Sequence, residues 1–216
     1  KVANFPGVTV ELKSGKFGEH RLVDFPGAYS LSTLSRDEEI AVEKIHEAMH
    51  DDNTSLIVCN LDATRLERSL VFGLQVRDLA KQHGKALIFA LNMIDEVERF
   101  NHHMDCEQLG KDLGVAVFPL SAKTLIGLHE FKAALNDIVK QPEKFIPTIS
   151  VAKDDSVFNV SRRIAKCYGI HADIVLKQQN RIDSFLLNNV LGGIAFFGIM
   201  FLLFQSIFTW ATPLMD

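Results

Sequence analysis

Cysteine is scarce in this sequence, and the three that occur, Cys59, Cys106 and Cys167, lie far apart. This spacing excludes the paired cysteines of a structural zinc site and the disulfide framework of a small secreted domain. Positive charge is not in excess either, because 23 Lys and Arg face 27 Asp and Glu. The balance argues against a nucleic acid held by bulk positive charge. Three scattered cysteines fit a reducing, cytosolic setting for most of the chain best. No secretory signal pattern is visible near Lys1.

Charge is missing altogether from residues 190–215, VLGGIAFFGIMFLLFQSIFTWATPLM. A helix crosses a bilayer with about 20 apolar residues, so this run predicts a transmembrane helix at 189–211, with a buried core helix as the alternative. Trp210 lies where an interfacial anchor is expected. The positive-inside rule then places residues 1–188 in the cytoplasm. The cations that precede the run are Arg162, Arg163, Lys166, Lys177 and Arg181.

Short apolar runs alternate with helical patterns over most of the remaining chain. This alternation predicts an α/β domain with a parallel sheet covered by helices on both faces. Prolines at 142 and 147 mark a boundary, which gives a main domain at 1–141 and a helical linking segment at 142–188. A hairpin over VTVELKSGKFGEHRLVDF is predicted to turn at Ser14-Gly15. Buried strands are predicted within 55–63, 85–92 and 115–122, and helices at 37–50, 66–83, 105–113, 128–140, 155–169 and 172–188.

The informative polar residues should follow the strands, because ligands of open parallel sheets bind beyond the strand carboxyl ends. The strand ending near Leu91 is followed by NMID, in which Asn92 and Asp95 have the N-x-x-D spacing. A carboxylate at Asp95 can accept from guanine N1–H and the exocyclic amino group, while the Asn92 amide contacts N7 and braces neighbouring loops. The alternative is that both residues cap a helix.

The strand ending near Leu120 is followed by Ser121, Ala122 and Lys123. A loop at this place can present a backbone N–H to the guanine carbonyl oxygen, and an ordinary polar loop is the alternative. The loop is informative about nucleotide binding only through its position, one helix and one strand after NMID.

DFPG, residues 24–27, is a carboxylate at a strand end followed by a Pro-Gly turn. Asp24 could hold Mg²⁺ through water, and Gly27 could bring a backbone N–H to a terminal phosphate. Thr9, in the upstream NFPGVTVE, could place its hydroxyl on the same Mg²⁺. The alternatives are a plain strand stop for Asp24 and a β-branched strand residue for Thr9.

The order of these motifs resembles that of translation-factor and Ras-like GTPases. The phrases NFPGVTVELKSG, DFPGAYSLS and LDATRLERSL look like the G domain of the ferrous iron transport protein B (FeoB) family, and RIDSFLLNNVLGGIAFFGIMFLLFQSIF resembles that family's first membrane helix. The resemblance implies a Ras-like GTPase fold with a mixed, mostly parallel sheet. It implies a GTP-binding site formed by Thr9, Asp24, Gly27, Asn92, Met93, Asp95, Ser121, Ala122 and Lys123, with Thr9 and Asp24 holding Mg²⁺.

The same resemblance implies a cytosolic GTPase that gates or regulates Fe²⁺ import through a bacterial inner membrane. GTP, GDP and Mg²⁺ are the implied cofactors, with K⁺ as a further candidate, and Fe²⁺ is the transported ion. The implied partners are the lipid bilayer, the remaining transmembrane domain and small accessory Feo proteins, with no nucleic acid. The position after Gly27, where Ras-like enzymes carry a water-orienting Gln, is Ala28. We therefore assign no catalytic residue and expect slow intrinsic hydrolysis. Asp62 is expected to be a turn or cap residue.

One expected motif is absent from the 216 residues, namely the phosphate-binding loop G-x-x-x-x-G-K-[ST]. In GTPases this loop follows the first strand of the sheet, so that strand is expected to be missing as well. The backbone N–H groups and the Lys of the loop make most phosphate contacts, and these contacts would be lost. We expect the chain to be a fragment cut from a longer protein. A degenerate domain without GTP binding and a membrane-anchored GTP-binding assembly factor are the alternatives.

We predict that these 216 residues bind guanine nucleotides poorly, because the β-phosphate contacts of the missing loop supply much of the affinity of such sites. Titration of a fluorescent GTP analogue checks this, and micromolar affinity would contradict it.

Two further patterns suggest metal binding. HEAMH, residues 46–50, matches the H-E-x-x-H pattern of zinc hydrolases, and NHHMDC, residues 101–106, places two His and a Cys in one loop. The first pattern has no evident third ligand and fits an exposed helix end. The second precedes a helix that Asp105 is expected to cap. We therefore favour structural roles for both.

Overall fold

The computed structural model describes residues 13–25, 31, 36–152, 154–170 and 191–206. The chain consists of two compact units, residues 1–170 and 171–216. The helix predicted at 172–188 lies outside the described residues.

The hairpin forms, but it turns four residues later than predicted. Its strands are β1 (Lys13–Phe17) and β2 (His20–Asp24), and they pair antiparallel. The turn lies at Gly18-Glu19, where Gly18 has φ +58°. Gly15 lies within β1, opposite Leu22, so the prediction of a Ser14-Gly15 turn is wrong. A two-residue hairpin loop needs a residue at positive φ, and strand pairing selects Gly18 for it.

A three-stranded parallel sheet follows, with β4 between β3 and β5. Its strands are β3 (Ile57–Asp62), β4 (Leu87–Asn92) and β5 (Ala116–Pro119). The three strands predicted from apolar runs are confirmed, but continuous burial is found for β4 alone, because β3 and β5 lie at the edges of the described sheet. Their carboxyl ends meet at one edge, since Asp62 lies opposite Asn92 and Leu91 lies opposite Pro119.

The predicted helices within the described ranges are confirmed to within one or two residues at most ends. Local chemistry fixes their limits: Asp105 Oδ1 accepts from Gln108 N at 2.9 Å, and Gly114 takes φ +65° after the last turn. The helices of the first unit are α1 (Arg36–His50), α2 (Leu66–Gln82), α3 (Ile94–Arg99), α4 (Cys106–Leu113), α5 (Leu128–Ile138) and α6 (Val157–Tyr168), with short 3₁₀ turns at Ala63–Arg65 and Pro142–Phe145.

Asp62 has the structural role expected of it. Its side chain accepts from Thr64 N at 2.8 Å and from Thr64 Oγ1 at 2.6 Å, which caps the 3₁₀ turn that leads into α2.

Both faces of the central strand are covered, as predicted. Side chains alternate across a strand, so Leu87, Phe89 and Leu91 of β4 enter one core and Ile88 and Ala90 enter another. The first core is completed by α2, α3, α4 and α6, and the second by Phe131 and Ile138 of α5. This layering confirms the α/β fold.

The predicted mixed sheet is divided in two. Among the described residues β3 pairs with β4 alone, and the β1–β2 hairpin is a separate two-stranded sheet. A single sheet would need a strand between β2 and β3 that pairs with both, and that strand is expected to be missing together with the phosphate-binding loop. Val58 of β3 is 38% exposed, in keeping with an uncovered stretch of the sheet.

Helix α6 packs against the main domain. Val160 and Ile164 are buried in the first core, and α6 contacts α2. His102, in the loop after α3, lies with Nε2 2.8 Å from the Tyr168 carbonyl oxygen at the end of α6. The first compact unit thus includes part of the segment 142–188. The domain limits at 141 and 188 stay a prediction.

Tyr168 supplies a pH-dependent contact of α6. Its hydroxyl donates to Asp112 Oδ2 at 2.6 Å, and this hydrogen bond, with burial as a smaller cause, raises the pKa of Tyr168 to about 12. The bond needs the protonated phenol, so it is fully present below the ordinary pKa and is lost as pH rises through about 12. We expect an absorbance titration of a Tyr29→Phe variant, in which Tyr168 is the remaining tyrosine, to show this high midpoint.

The matched variant is Asp112→Asn in the same background. Without the carboxylate, the midpoint should fall toward the ordinary tyrosine value of about 10. Equal midpoints with and without Asp112 would contradict the contact.

The second unit contains α7 (Leu191–Ser206), 16 residues of almost wholly apolar sequence. Most of its described side chains are exposed, as for Phe197 at 72%. Within the described ranges no helix combines the length and apolarity needed to cross a membrane. The transmembrane helix predicted at 189–211 extends beyond α7 at both ends, into residues that are not described, and it stays a prediction.

Candidate functional site

Two loops meet beyond the carboxyl ends of β4 and β5. The first, residues 92–95, leaves β4 and enters α3; the second, residues 120–127, leaves β5 and enters α5. They are adjacent because β4 and β5 are neighbouring parallel strands. This is the edge where parallel sheets bind ligands, and it contains six of the nine predicted GTP-binding residues.

Asn92 joins the two loops through one side-chain oxygen. Its Oδ1 accepts from Met93 N at 2.8 Å and from Ala122 N at 3.0 Å. Asn92 and Ala122 are 30 positions apart in the sequence, so the hydrogen bond between them fixes the spacing between the two loops. The bracing role predicted for Asn92 is thus present in the structure.

Asp95 lies in the first turn of α3 and is half-buried. The cap position of α3 is Met93, which has φ +66° and makes no side-chain cap hydrogen bond. Neither Asn92 nor Asp95 is therefore the N-cap, and that alternative does not account for the motif. The backbone N–H of Ile94 donates to the Leu120 carbonyl at 3.3 Å, which holds the start of α3 against the second loop.

The Ser121 side chain holds the second loop together. It is buried, its Oγ accepts from Thr124 N at 3.1 Å, and its N–H donates to the Ile126 carbonyl at 2.9 Å. The loop closes through Gly127 at φ +69°, where any side chain would collide with the Pro119 carbonyl. Ala122 is exposed on this frame.

Glu96 is a contributor that the sequence analysis missed. Its Oε1 lies 3.3 Å from Lys123 Nζ, and its Oε2 lies 2.8 Å from Arg99 Nη1. The carboxylate thus links α3 to the second loop beside Asp95. No sequence signal indicates this, because Lys123 comes 27 positions later and the pair depends on the packing of the two loops.

The phosphate side of the predicted site is described only in part. Thr9 and Gly27 lie outside the described residues. Asp24 ends β2 with an exposed side chain, as the prediction requires. Among the described residues its hairpin is not hydrogen-bonded to the parallel sheet, so its assignment to Mg²⁺ stays a prediction.

The histidine patterns make structural contacts instead. His50 Nδ1 lies 2.8 Å from the His46 carbonyl oxygen, and its ring packs edge-on to His83 with centroids 4.3 Å apart. His102 contacts the end of α6 through the Tyr168 carbonyl. In the part of the chain that the structure describes, no group of three or more His, Cys, Asp or Glu is arranged to hold a metal ion.

The polar side chains at the two loops comprise one amide and one carboxylate, both half-buried. Because Asn92 Oδ1 is engaged by two backbone N–H groups, its Nδ2 is left as the donor for an acceptor such as purine N7. The Asp95 carboxylate offers acceptors only. A ring carbonyl near Ala122 would compete with Asn92 for the Ala122 N–H.

A comparison with protein families identifies the chain. The model of the family described as "Ferrous iron transport protein B" matches residues 1–135. The chain belongs to this family.

Individual FeoB proteins support the assignment. The Fe(2+) transporter FeoB of Campylobacter jejuni is 31% identical over 229 aligned positions, which cover 100% of this chain and 36% of that protein. The cytosolic domain of the T. maritima FeoB iron transporter in apo form matches with a TM-score of 0.58 and 28% identity, covering 88% of this chain and 66% of that one. NFeoB from S. thermophilus bound to mGMPPNP matches with a TM-score of 0.52 and 31% identity over 65% of this chain and 52% of that one.

The chain thus has the α/β G-domain fold of FeoB cytosolic domains. It spans about a third of the length of the Campylobacter transporter that it matches.

Asn92→Ala tests how the two FeoB loops are joined. The change removes the acceptor of two backbone N–H groups, so we expect faster amide exchange at Met93 and Ala122 and a loss of about 1–2 kcal/mol in the free energy of unfolding. Hydrogen exchange followed by NMR and urea denaturation check both.

The matched control is Asn136→Ala on the exposed side of α5, where the amide bonds only to the Lys132 carbonyl of its own helix. Its exchange and stability should stay near those of the unmodified chain. Unchanged protection of Ala122 in Asn92→Ala would show that Asn92 does not hold the loops.

Proposed function

We propose that this chain forms the guanine-nucleotide-binding part of a FeoB-type Fe²⁺ transporter. The observation that carries the proposal is the Asn92 bridge, which sets Asp95 and the Ser121–Lys123 loop around one edge of the sheet. That edge offers a donor at Asn92, acceptors at Asp95, and at Ala122 a backbone N–H that a ring carbonyl would share with Asn92 Oδ1. Guanine presents the complementary groups at N7, at N1–H with the amino group, and at O6.

Base recognition rests on the direction of these hydrogen bonds. Adenine has an unprotonated N1 and an amino group in place of O6, so it gives Asp95 no donor pair and offers no carbonyl that could compete for the Ala122 N–H. A carboxylate left facing the lone pair of adenine N1 would be desolvated without a partner, which is costly. We therefore assign the preference for guanine to Asp95, supported by the second loop. S. thermophilus NFeoB, bound to mGMPPNP, is a relative with such a ligand.

The phosphate side of the proposal involves Thr9, Asp24 and Gly27. Thr9 and Asp24 would hold Mg²⁺ through a hydroxyl and a carboxylate, oxygen ligands of the kind that Mg²⁺ prefers. Bound there, the ion would neutralise charge on the nucleotide phosphates. Gly27 would offer its backbone N–H to the last phosphate. Hydrolysis of GTP to GDP and phosphate is proposed for the complete protein, with K⁺ as a further candidate cofactor.

The transport function is proposed from the relatives. The Campylobacter match is an Fe(2+) transporter, which favours iron import over the alternative of a GTP-binding assembly factor. The apolar run at 189–211 would enter the inner membrane and pack with the remaining transmembrane domain, leaving residues 1–188 in the cytoplasm. Small accessory Feo proteins are proposed as further partners.

An amide-resolved titration tests the nucleotide proposal even if affinity is low. GDP and ADP are added at millimolar concentration to the ¹⁵N-labelled chain, and the NMR shifts of Met93, Asp95 and Ala122 are followed. GDP should shift all three more than ADP does, because only guanine satisfies Asp95. Amides of the exposed face of α5 are the internal control. Equal shifts with both nucleotides, or shifts confined to other elements, would contradict the proposal.

A further inference from the structure

Helix α6 has an outer face that carries three cations and an exposed aromatic ring. The face is defined by Phe158, Arg162, Arg163 and Lys166, which lie on the side of the helix away from buried Val160 and Ile164. Phe158 is 62% exposed. The helix contains no Asp or Glu, so its outer face is basic in a chain with four more acidic than basic residues.

The positive charge continues toward the apolar run. Residues 157–189 contain five Lys and Arg against two Asp, whereas the chain as a whole is net acidic. Basic segments next to a membrane-inserted stretch are drawn to the anionic lipids of the cytoplasmic leaflet. An exposed Phe among such cations suits the boundary between lipid headgroups and acyl chains.

We propose that the outer face of α6 binds the anionic phosphate headgroups of the membrane. The proposal goes beyond the nucleotide site, and it rests on the membrane part of the proposed function. Phe158 would enter the headgroup region while the guanidinium groups and Lys166 bind phosphate oxygens from the water side.

The acidic groups that face these cations do not block the contact. Arg162 Nε lies 3.2 Å from Glu67 Oε1, and Arg163 Nη1 lies 3.2 Å from Asp155 Oδ2. Both arginine side chains are more than half exposed, at 61% and 66%, and exposed ion pairs of this kind are weak. Each guanidinium has five N–H donors, so it can keep its carboxylate and still bind a phosphate.

Cys167 provides a probe beside this face, one helical turn after Arg163. It is exposed and follows Lys166, whereas Cys59 is buried and Cys106 is half-buried. Burial raises the pKa of the Cys59 thiol to about 12; burial, with the Asp105 charge as a smaller cause, raises that of Cys106 to about 11. A thiol-reactive fluorophore at neutral pH should therefore label Cys167 selectively, because the thiolate is the reactive form.

The test uses the full chain, labelled at Cys167 and reconstituted with vesicles of phosphatidylcholine alone or with added phosphatidylglycerol. Quenching by aqueous acrylamide, which is uncharged and therefore not excluded from an anionic surface, reports access to the outer face. We expect quenching to fall roughly threefold or more with the anionic lipid, since each basic residue near that surface favours contact. Added salt should restore quenching, because it screens the attraction.

Two charge-matched triple variants separate the face from bulk charge. Arg162→Gln, Arg163→Gln and Lys166→Gln together should abolish the difference between the lipids. The control is Lys132→Gln, Lys140→Gln and Lys144→Gln together, which removes three exposed cations elsewhere and should keep the difference. Circular dichroism checks that both variants fold, as expected for surface changes.

Other outcomes would overturn the proposal. Equal quenching in both lipids, or equal behaviour of the two triple variants, would show that α6 does not contact headgroups. Protection by soluble polyglutamate but not by anionic vesicles would assign the face to an acidic protein. Retention of the chain by uncharged vesicles reports separately on the apolar run. If the chain is not retained, co-sedimentation of the free chain with anionic vesicles still tests the α6 proposal, and no co-sedimentation would contradict it.

Discussion

An Asp95→Asn variant is expected to lose its preference for guanine and to prefer xanthine. The change replaces one carboxylate acceptor by an amide donor beside the purine amino group. Guanine then faces the site with donor against donor, whereas xanthine has a carbonyl at that position. Two hydrogen bonds to a charged acceptor are at stake, so we expect roughly 100-fold weaker GDP binding.

The measurement is the amide-shift titration of the ¹⁵N-labelled chain with GDP and with xanthosine diphosphate. In the unmodified chain GDP should give the larger shifts at Met93 and Ala122. In Asp95→Asn the order should reverse. Asp137→Asn is the matched control, because Asp137 is an exposed α5 carboxylate that contacts Lys140. If Asp95→Asn and Asp137→Asn rank the two nucleotides alike, Asp95 does not read the base.

Asp78→Ala should be among the most destabilising single changes in the chain. Its partner Arg77 is 2% exposed, with Nε and Nη2 at 2.9 and 2.8 Å from Asp78 Oδ1 and Nη1 at 3.2 Å from the Leu113 carbonyl oxygen. Asp78 Oδ2 also accepts from Val151 N at 3.1 Å. Removing one partner of such a pair leaves a buried charge without compensation, which costs about 3–5 kcal/mol.

Urea denaturation of Asp78→Ala and of the control Asp137→Ala gives the comparison. The control breaks an ion pair whose side chains are 72% and 82% exposed, so its effect should stay within about 0.5 kcal/mol. A double variant, Arg77→Met with Asp78→Ala, should recover part of the loss because no charge is then buried. Equal stability of Asp78→Ala and Asp137→Ala would show that the pair does not matter for folding.

The sheet and its helices could be predicted from the sequence because each element has its own local signal. The apolar runs of β3, β4 and β5 and the stops at Gly84 and Gly114 depend on neighbouring residues alone. The hairpin turn was misplaced because Gly15 and Gly18 are both permissive, and only cross-strand pairing distinguishes them. The candidate site could be predicted from motif order after the strands, although no local signal revealed that Glu96 joins Lys123.

The sequence by itself thus determined the order of elements, the places where polar residues follow strands, and the charge-free run at 190–215. The tertiary structure alone decided that Asn92 holds the Ala122 N–H, that Arg77 is buried, and that α6 packs on the main domain. The physical reason is the range of the interactions. Helix caps and apolar periodicity act within a few residues, whereas these contacts join positions 30 or more apart and exist only when the sheet and its helices have assembled.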